Sequence, residues 1–491
     1  MVRCRQGRIC AKLVACLLDC NLSLRRSMDA MPYSTISPPP ALADFSDLVR
    51  QFHVPGASLA VLHGNDIYEM AAGVANLNTK VETTPDTLFQ IGSITKLYVS
   101  CLVLQLVDEG KLSLDDKVQK YLPAFSLADP ARAAAVTIRH LLTHTSGIDG
   151  DYFVDAGRGE DRIEKFVDML GTLPSLHPLG SHFAYCNVGF VVLGRVLEIV
   201  CGERWDKVIR KRLIKPLGTP AFSTLPEQAM RFRTAVGHLG HGPDGLAVTP
   251  LVYLAQSNAP AGSMSMASAR DVVTFGDMLM RDGIASNGTR LLSADSTRAM
   301  RVPHMACPPG GPLDAIGLAA FLWQWDTDTY NVFGHDGSTI GQAAFLRIHP
   351  ESGTVFTLLT NGGDGKGLAQ VLLTRVFTAS ANVCPPTTPD ILPSKGSLES
   401  YVGVYGKSSE TAQISLSQGK LFALIRPSAA YQVISGGQQI ELHPVGEGRF
   451  IGYSRGMTQA VNFNFLDPDA HGHATYLYTG ARLFTRVEEA S

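Results

Sequence analysis

Apolar residues dominate two neighbouring runs, 57–63 and 67–73, on either side of the polar cluster Gly64-Asn65-Asp66. Two such runs flanking a turn cluster predict a β-hairpin. The pattern then changes: Leu97, Val99, Leu102, Val103, Leu106 and Val107 recur three and four residues apart. That spacing predicts a helix over 95–109, stopped by Gly110. Residues 111 to about 310 carry mostly helical patterns broken by Gly/Pro turns, with the clearest helices over 188–200 and 269–281. Two strand-like runs follow, 343–349 and 354–361, joined by Pro350-Glu351-Ser352-Gly353, and then a helix over 367–377.

The texture shifts twice. Residues 1–40 read as a mobile leader ending in Ser37-Pro38-Pro39-Pro40, and 381–394 as a Pro-rich linker. They bracket an α+β unit over 41–380. Beyond the linker, 395–491 holds short alternating runs at 401–405, 413–417, 420–425, 431–435, 439–443, 461–465 and 474–478. Turn-rich spacing of this kind predicts a small antiparallel barrel or sandwich.

Composition narrows the function classes. Of 491 residues, 45% are hydrophobic and 18% charged, which excludes a disordered chain. Lys+Arg 42 against Asp+Glu 44 leaves −2, with no electrostatic case for nucleic acid. No run of eighteen apolar residues occurs, so no membrane span is expected. Cys4, Cys10, Cys16 and Cys20 lie in the leader, while Cys101, Cys186, Cys201, Cys307 and Cys384 are scattered without a C-x-x-C pair. Scattered thiols suit buried positions in a reducing compartment, so a cytoplasmic location is expected. Secretion is the alternative: Arg3, Arg5, Arg8 and Lys12 precede an apolar run, 13–18, that Asp19 cuts short. Translation from Met28 or Met31 would remove that leader.

Three segments carry candidate chemistry. In Phe89-Gln90-Ile91-Gly92-Ser93-Ile94-Thr95-Lys96, Ser93 stands where a strand-like segment turns into a helix, and Lys96 shares its face at i+3. An amine beside a hydroxyl takes its proton when burial lowers the amine's pKa. The helix start also offers N–H groups to a developing oxyanion. In Tyr185-Cys186-Asn187, the phenol could relay a proton and the amide could anchor a carbonyl. Gly334-His335-Asp336-Gly337-Ser338 reads as a turn before the run 342–349, with glycines that let the backbone approach a ligand. Taken singly, each has a plain structural reading: a helix cap, a packed loop tyrosine, a turn.

In their order and spacing the three match a known set. The chain resembles the class C β-lactamase and D-alanyl-D-alanine carboxypeptidase branch of the penicillin-binding-protein-like serine hydrolases, over about 45–380. Thr137-Ile138-Arg139-His140-Leu141-Leu142-Thr143-His144-Thr145-Ser146-Gly147, Pro216-Leu217-Gly218 and Pro260-Ala261-Gly262-Ser263 carry the same texture. The resemblance implies a β-lactamase/transpeptidase-like antiparallel sheet covered by helices, a helical subdomain, and a site between them. It implies Ser93 as acylated nucleophile, Lys96 as its activating partner, Tyr185 as general acid/base and Asn187 as the holder of a substrate amide. His335 takes the place of Lys in Lys-Thr-Gly, with Asp336 and Gly337 beside the substrate. The N–H groups of Ser93 and Ser338 would form the oxyanion hole. No metal or organic cofactor is implied, and the substrate is a small-molecule or peptide-like acyl compound.

Two departures bear on substrate. Tyr-Cys-Asn replaces Tyr-Ser-Asn, with Cys186 expected as a small packing residue. His-Asp-Gly replaces Lys-Thr-Gly, which removes a fixed cation and sets a carboxylate where penicillin-type substrates bring their own. Asp336 would suit an ammonium group, or would only shape the turn. A His-Asp-Gly-type motif with an appended, lipocalin-like barrel is similar to penicillin-binding-protein-type thioesterases, which release an acyl-serine to an internal amine. The expected function is thus a serine hydrolase acting through acyl-Ser93 on amides or esters. The alternatives are an acyltransferase or cyclase with the same residues, and a silent binding protein. His140 and His144 have zinc-helix spacing but lack the accompanying Glu, so no metal is expected. His238 and His241 lie in a Gly-rich loop, and 362–367 reads as a strand-to-helix turn, not a P-loop.

Overall fold

A computed structural model describes residues 33–240, 242–393, 396–428 and 437–487 of the chain. The expected hairpin forms from β1 (Gly56–His63) and β2 (Asp66–Gly73), paired antiparallel with Leu59 opposite Met70. The helices that follow include α1 (Thr95–Asp108), α2 (Asn187–Cys201) and α3 (Ala269–Met280). Then come β3 (Val332–Thr339), β4 (Gln342–His349), β5 (Thr354–Thr360) and α4 (Gly365–Ala381). The strands lie in the order β2-β1-β5-β4-β3 within a nine-stranded sheet. Phe321–Trp323, Ala315–Ile316 and Met305–Ala306 extend it past β3, and Ser34–Thr35 pairs parallel with β2 at the other edge.

The sheet is covered on both faces, which explains why its central strands are buried almost throughout. Ala60, Leu62, Phe333, Leu346 and Ile348 pack with α1, α2 and α3. Leu59, Val61, Phe345, Phe356 and Leu358 pack with Leu368, Leu372, Val376 and Phe377 of α4. Each of the Val, Leu, Ile and Phe side chains among them, fully buried, contributes about 1.5–3 kcal/mol. Residues 334–338, expected as a turn, instead continue β3, with His335 opposite Leu346 and Asp336 opposite Phe345. Their glycines resemble a turn because β3 must pass close to another backbone.

The C-terminal β unit is a barrel, not a sandwich. Eight strands close on themselves: β6 (Gly403–Lys407), β7 (Glu410–Ser417), β8 (Lys420–Pro427), β9 (Gln438–Gly446), β10 (Arg449–Gly452), β11 (Val461–Pro468), β12 (Ala474–Thr479) and β13 (Arg482–Val487). Strands β10 and β13 had no counterpart among the expected runs, and the run 431–435 lies outside the described residues, as does the leader to residue 32. Tyr405, Leu421, Leu442, Phe450, Phe463 and Phe484 fill the barrel's interior. Its last hairpin docks on the first unit: Tyr478, Ala481 and Leu483 share an apolar cluster with Phe183, Ala184 and Tyr185. No helix among the described residues is long and apolar enough to cross a membrane.

Candidate active site

Phe89–Gln90 pairs with Met266–Ala267, and the chain then makes one 3-10 turn, Gly92–Ile94, before entering α1. Ser93 sits on that turn and Lys96 in the first turn of α1. Lys96 Nζ stands 3.0 Å from Ser93 Oγ, 2.7 Å from Asn187 Oδ1 and 2.6 Å from the Ala261 carbonyl. The last two partners only accept. A neutral amine therefore gives them its two N–H bonds and turns its lone pair to the Ser93 hydroxyl. Burial favours that state: Lys96 is fully enclosed, and its pKa is pushed well below the lysine range by desolvation and then by Arg482.

Tyr185 forms the opposite wall. Its ring centroid is 4.9 Å from Lys96 Nζ, and His144 stacks on it at 4.4 Å. Burial raises the phenol's pKa, against the opposing influence of Ser93 and Arg482, so Tyr185 rests as a proton donor. His144 has a left-handed backbone (φ 55) and accepts the Cys186 N–H at Nδ1, 2.9 Å. It serves the tyrosine wall. His140 belongs to a capping box with Thr137, and the described residues hold no group of three or more His, Cys, Asp or Glu able to bind a metal.

Strand β3 closes the third side. An ideal Cβ on Gly337 would stand 1.9 Å from the Ile91 carbonyl and 3.1 Å from Ser93 N, so only glycine lets the strand lie against the turn. Gly92 has φ +50, and a Cβ there would stand 2.6 Å from Ser338 N. The Ser338 amide is thus brought beside the turn that carries Ser93, as the proposed oxyanion pair requires. His335 is buried, stacks on Phe321 at 3.9 Å, and directs Nδ1 at the Asp336 carbonyl. Its pKa is well below the usual value, chiefly through burial. His335 is therefore neutral, carries its proton on Nδ1, and leaves Nε2 as a buried acceptor without a partner. Asp336 pairs with Arg347 Nη1 at 2.6 Å, and Arg347 lies 3.8 Å over the Trp323 ring. The repulsion expected of a bare carboxylate is offset by that guanidinium.

A family model described as Beta-lactamase matches residues 43–380. Penicillin-binding protein 4 of Amycolatopsis lactamdurans is 40% identical over 365 residues, 72% of this chain and 96% of its own length. The chain belongs to the Beta-lactamase family. Among solved structures, SurE superposes with a TM-score of 0.73 at 28% identity, covering 91% of this chain and 98% of its own. The D-amino acid amidase from Ochrobactrum anthropi SV3, complexed with D-phenylalanine, has TM-score 0.58 and 23% identity, covering 70% and 98%, and shares the fold. The class C β-lactamase of Rhodobacter sphaeroides has TM-score 0.56 at 21% identity, over 69% and 98%. The family match supports an enzyme of the serine hydrolase type.

Parts of this Beta-lactamase-family site had no local signal in the sequence. Asn187 Nδ2 donates to Asp151 Oδ1 at 2.8 Å, so the amide expected to hold substrate is itself held. Asp151 is buried and bonded to two barrel cations, Lys407 Nζ at 2.9 Å and Arg482 Nε at 3.1 Å, both on Oδ2. Ser408 N–H donates to Asp149 at 2.6 Å. Arg482 also lies 4.6 Å over the Tyr185 ring. Of the other expectations, His238 is buried between Leu77 N and the Asn361 carbonyl, and His241 lies outside the described residues. Residues 362–367 form the strand-to-helix turn, with Asp364 capping α4.

Cys186 caps α2 by accepting the Gly189 N–H on Sγ, and its buried thiol is pushed up to about 12. It acts as the helix cap. Cys186→Ser is expected to keep the rate of Ser93 acylation, and to change stability by no more than about 1 kcal/mol, since a hydroxyl caps as well. Probe kinetics and a thermal melt check this.

Proposed function

We propose that the chain forms an acyl-Ser93 intermediate from peptide-like amides or esters. The observation that carries this is the Lys96 amine, dry and bonded to Ser93 Oγ at 3.0 Å. Lys96 takes the hydroxyl proton as Oγ attacks the carbonyl carbon, and the oxyanion sits on the N–H groups of Ser93 and Ser338. Tyr185 gives its proton to the leaving nitrogen or oxygen as that bond breaks. The incoming nucleophile returns a proton to Tyr185, and Lys96 returns its own to Ser93 Oγ as the acyl–serine bond breaks. A D-configured residue beside the scissile bond is the favoured feature of the substrate. It is supported by SurE, solved with D-Leu and 27% identical over 91% of this chain. With His335 neutral, a substrate carboxylate would meet its cation at Arg482 on the barrel.

Aminolysis is the second reading, and one observation favours it. His335 Nε2 is an unpartnered acceptor 5.9 Å, ring to ring, from Tyr185. It suits an attacking amine's N–H better than it suits a carboxylate. The test is a peptidyl ester ending in a D-residue, incubated with and without a primary amine and followed by mass spectrometry. A mass shift on Ser93, lost in Ser93→Ala, supports the acyl-enzyme; product without any adduct counts against it. Free acid alone, even with amine present, assigns hydrolysis; amide at low millimolar amine assigns transfer.

A further inference from the structure

Asp151 is a buried carboxylate of the first unit whose counter-charges both come from the barrel, Lys407 and Arg482. Through Oδ1 it accepts the Asn187 Nδ2–H. An amide whose nitrogen is fixed has its oxygen fixed too, and Asn187 Oδ1 is one of the three groups around Lys96 Nζ. A chain of polar contacts thus runs Lys407, Asp151, Asn187, Lys96, Ser93.

The two barrel cations differ. Arg482 is 30% exposed on its side chain and faces Tyr185, so it is open to the site. Lys407 is 2% exposed, and its ammonium meets Asp151, Glu410 at 3.0 Å and Ser409. It is sealed from any substrate.

We propose that Lys407 is a positioning residue for the Ser93–Lys96 pair: by holding the Asp151 carboxylate it fixes the Asn187 amide, and through it the Lys96 amine. The barrel then completes the active site. The proposal rests on Ser93 as nucleophile and Lys96 as base.

The sign of its effect follows from the charges present. Lys96 is faced by Arg482, Asp151, Cys186, Tyr185, His144 and His335. Asp151 is faced by Arg482 and Lys407, and Lys407 by Asp151, Glu410 and Arg482. Asp151 draws Lys96 toward its protonated form, and Lys407 blunts that pull. Removing Lys407 leaves Arg482 to keep Asp151 ionised, but with more of its charge unopposed. The acid limb of the acylation profile then moves to higher pH. Removing the Asp151 charge moves it the other way.

The experiment measures the rate of fluorophosphonate labelling against pH in the full chain, as wild type, Ser93→Ala, Lys407→Met, Lys407→Arg and Asp151→Asn, with a thermal melt of each. The expected result is an acid limb displaced upward by about one pH unit in Lys407→Met, restored in Lys407→Arg, and displaced downward in Asp151→Asn. Equal labelling of Ser93→Ala would sink the acyl-serine reading itself. Labelling confined to Ser93, with limbs in Lys407→Met and Asp151→Asn that coincide with wild type, overturns the Lys407 proposal alone. Should Lys407→Met fail to melt cooperatively, Asp151→Asn decides: an unmoved limb there overturns the proposal.

Discussion

Lys96→Met is expected to slow acylation of Ser93 by about a thousandfold or more, within the range of a lost general base compounded by lost positioning. The argument lies in the three partners of Nζ. Two are carbonyl oxygens that can only accept, so the third direction is the one along which a neutral amine receives the Ser93 proton. Methionine fills the volume and receives nothing. Lys96→Arg is expected to be as poor, because a guanidinium stays protonated and has no lone pair to offer. The wild-type labelling rate should rise with pH through a limb well below the ordinary lysine range, since burial disfavours the ammonium form. A Lys96→Met protein that melts normally and still labels near the wild-type rate would remove Lys96 from the mechanism.

What could be read from the chain follows its local continuity. Ser93 and Lys96 are one helical turn apart, and Tyr185 and Asn187 flank a helix start, so their grouping needed only short-range geometry. The hairpin and the six sheet and helix runs that follow it were legible because apolar runs and three–four spacing persist for whole elements. β3 was not: Gly334 and Gly337 imitate a turn, whereas Gly337 is there to let the strand touch the Ile91 carbonyl. β10 has four residues, β13 carries Arg482 and Arg486 among its apolar positions, and both break the expected rhythm. His144 was visible as one of a histidine pair, but its left-handed backbone turns the ring to Tyr185, which spacing alone does not reveal. Lys407 and Arg482 lie 256 and 331 residues from Asp151 in sequence, and no motif marks them. Only the docking of the barrel brings those charges to the site. Likewise Asp336 looked like a bare carboxylate until Arg347, on the adjacent strand, was seen to pair with it.

Gly337→Ala should reduce acylation by about a hundred- to a thousandfold, the usual effect of losing one oxyanion donor. A methyl at 1.9 Å from the Ile91 carbonyl oxygen is a clash of main chain with side chain that no rotamer relieves. The strand must withdraw from the 3-10 turn by about the missing van der Waals distance, more than an ångström. One proposed donor, the Ser93 N–H, rides on the turn; the other, Ser338 N–H, rides on the strand. Their separation is what the methyl changes, so the hole opens although both N–H groups remain. Stability should also drop, by about 1–3 kcal/mol, as overpacking commonly costs. Gly317→Ala supplies the comparison. It sets a methyl 2.0 Å from the Met300 carbonyl, beyond Phe321–Trp323 toward the sheet's edge, and should cost similar stability with little change in acylation. Thermal melts and probe kinetics on the two variants separate the effects: equal losses of rate in both would mean that Gly337 acts through general stability and not by setting the distance between the two donors.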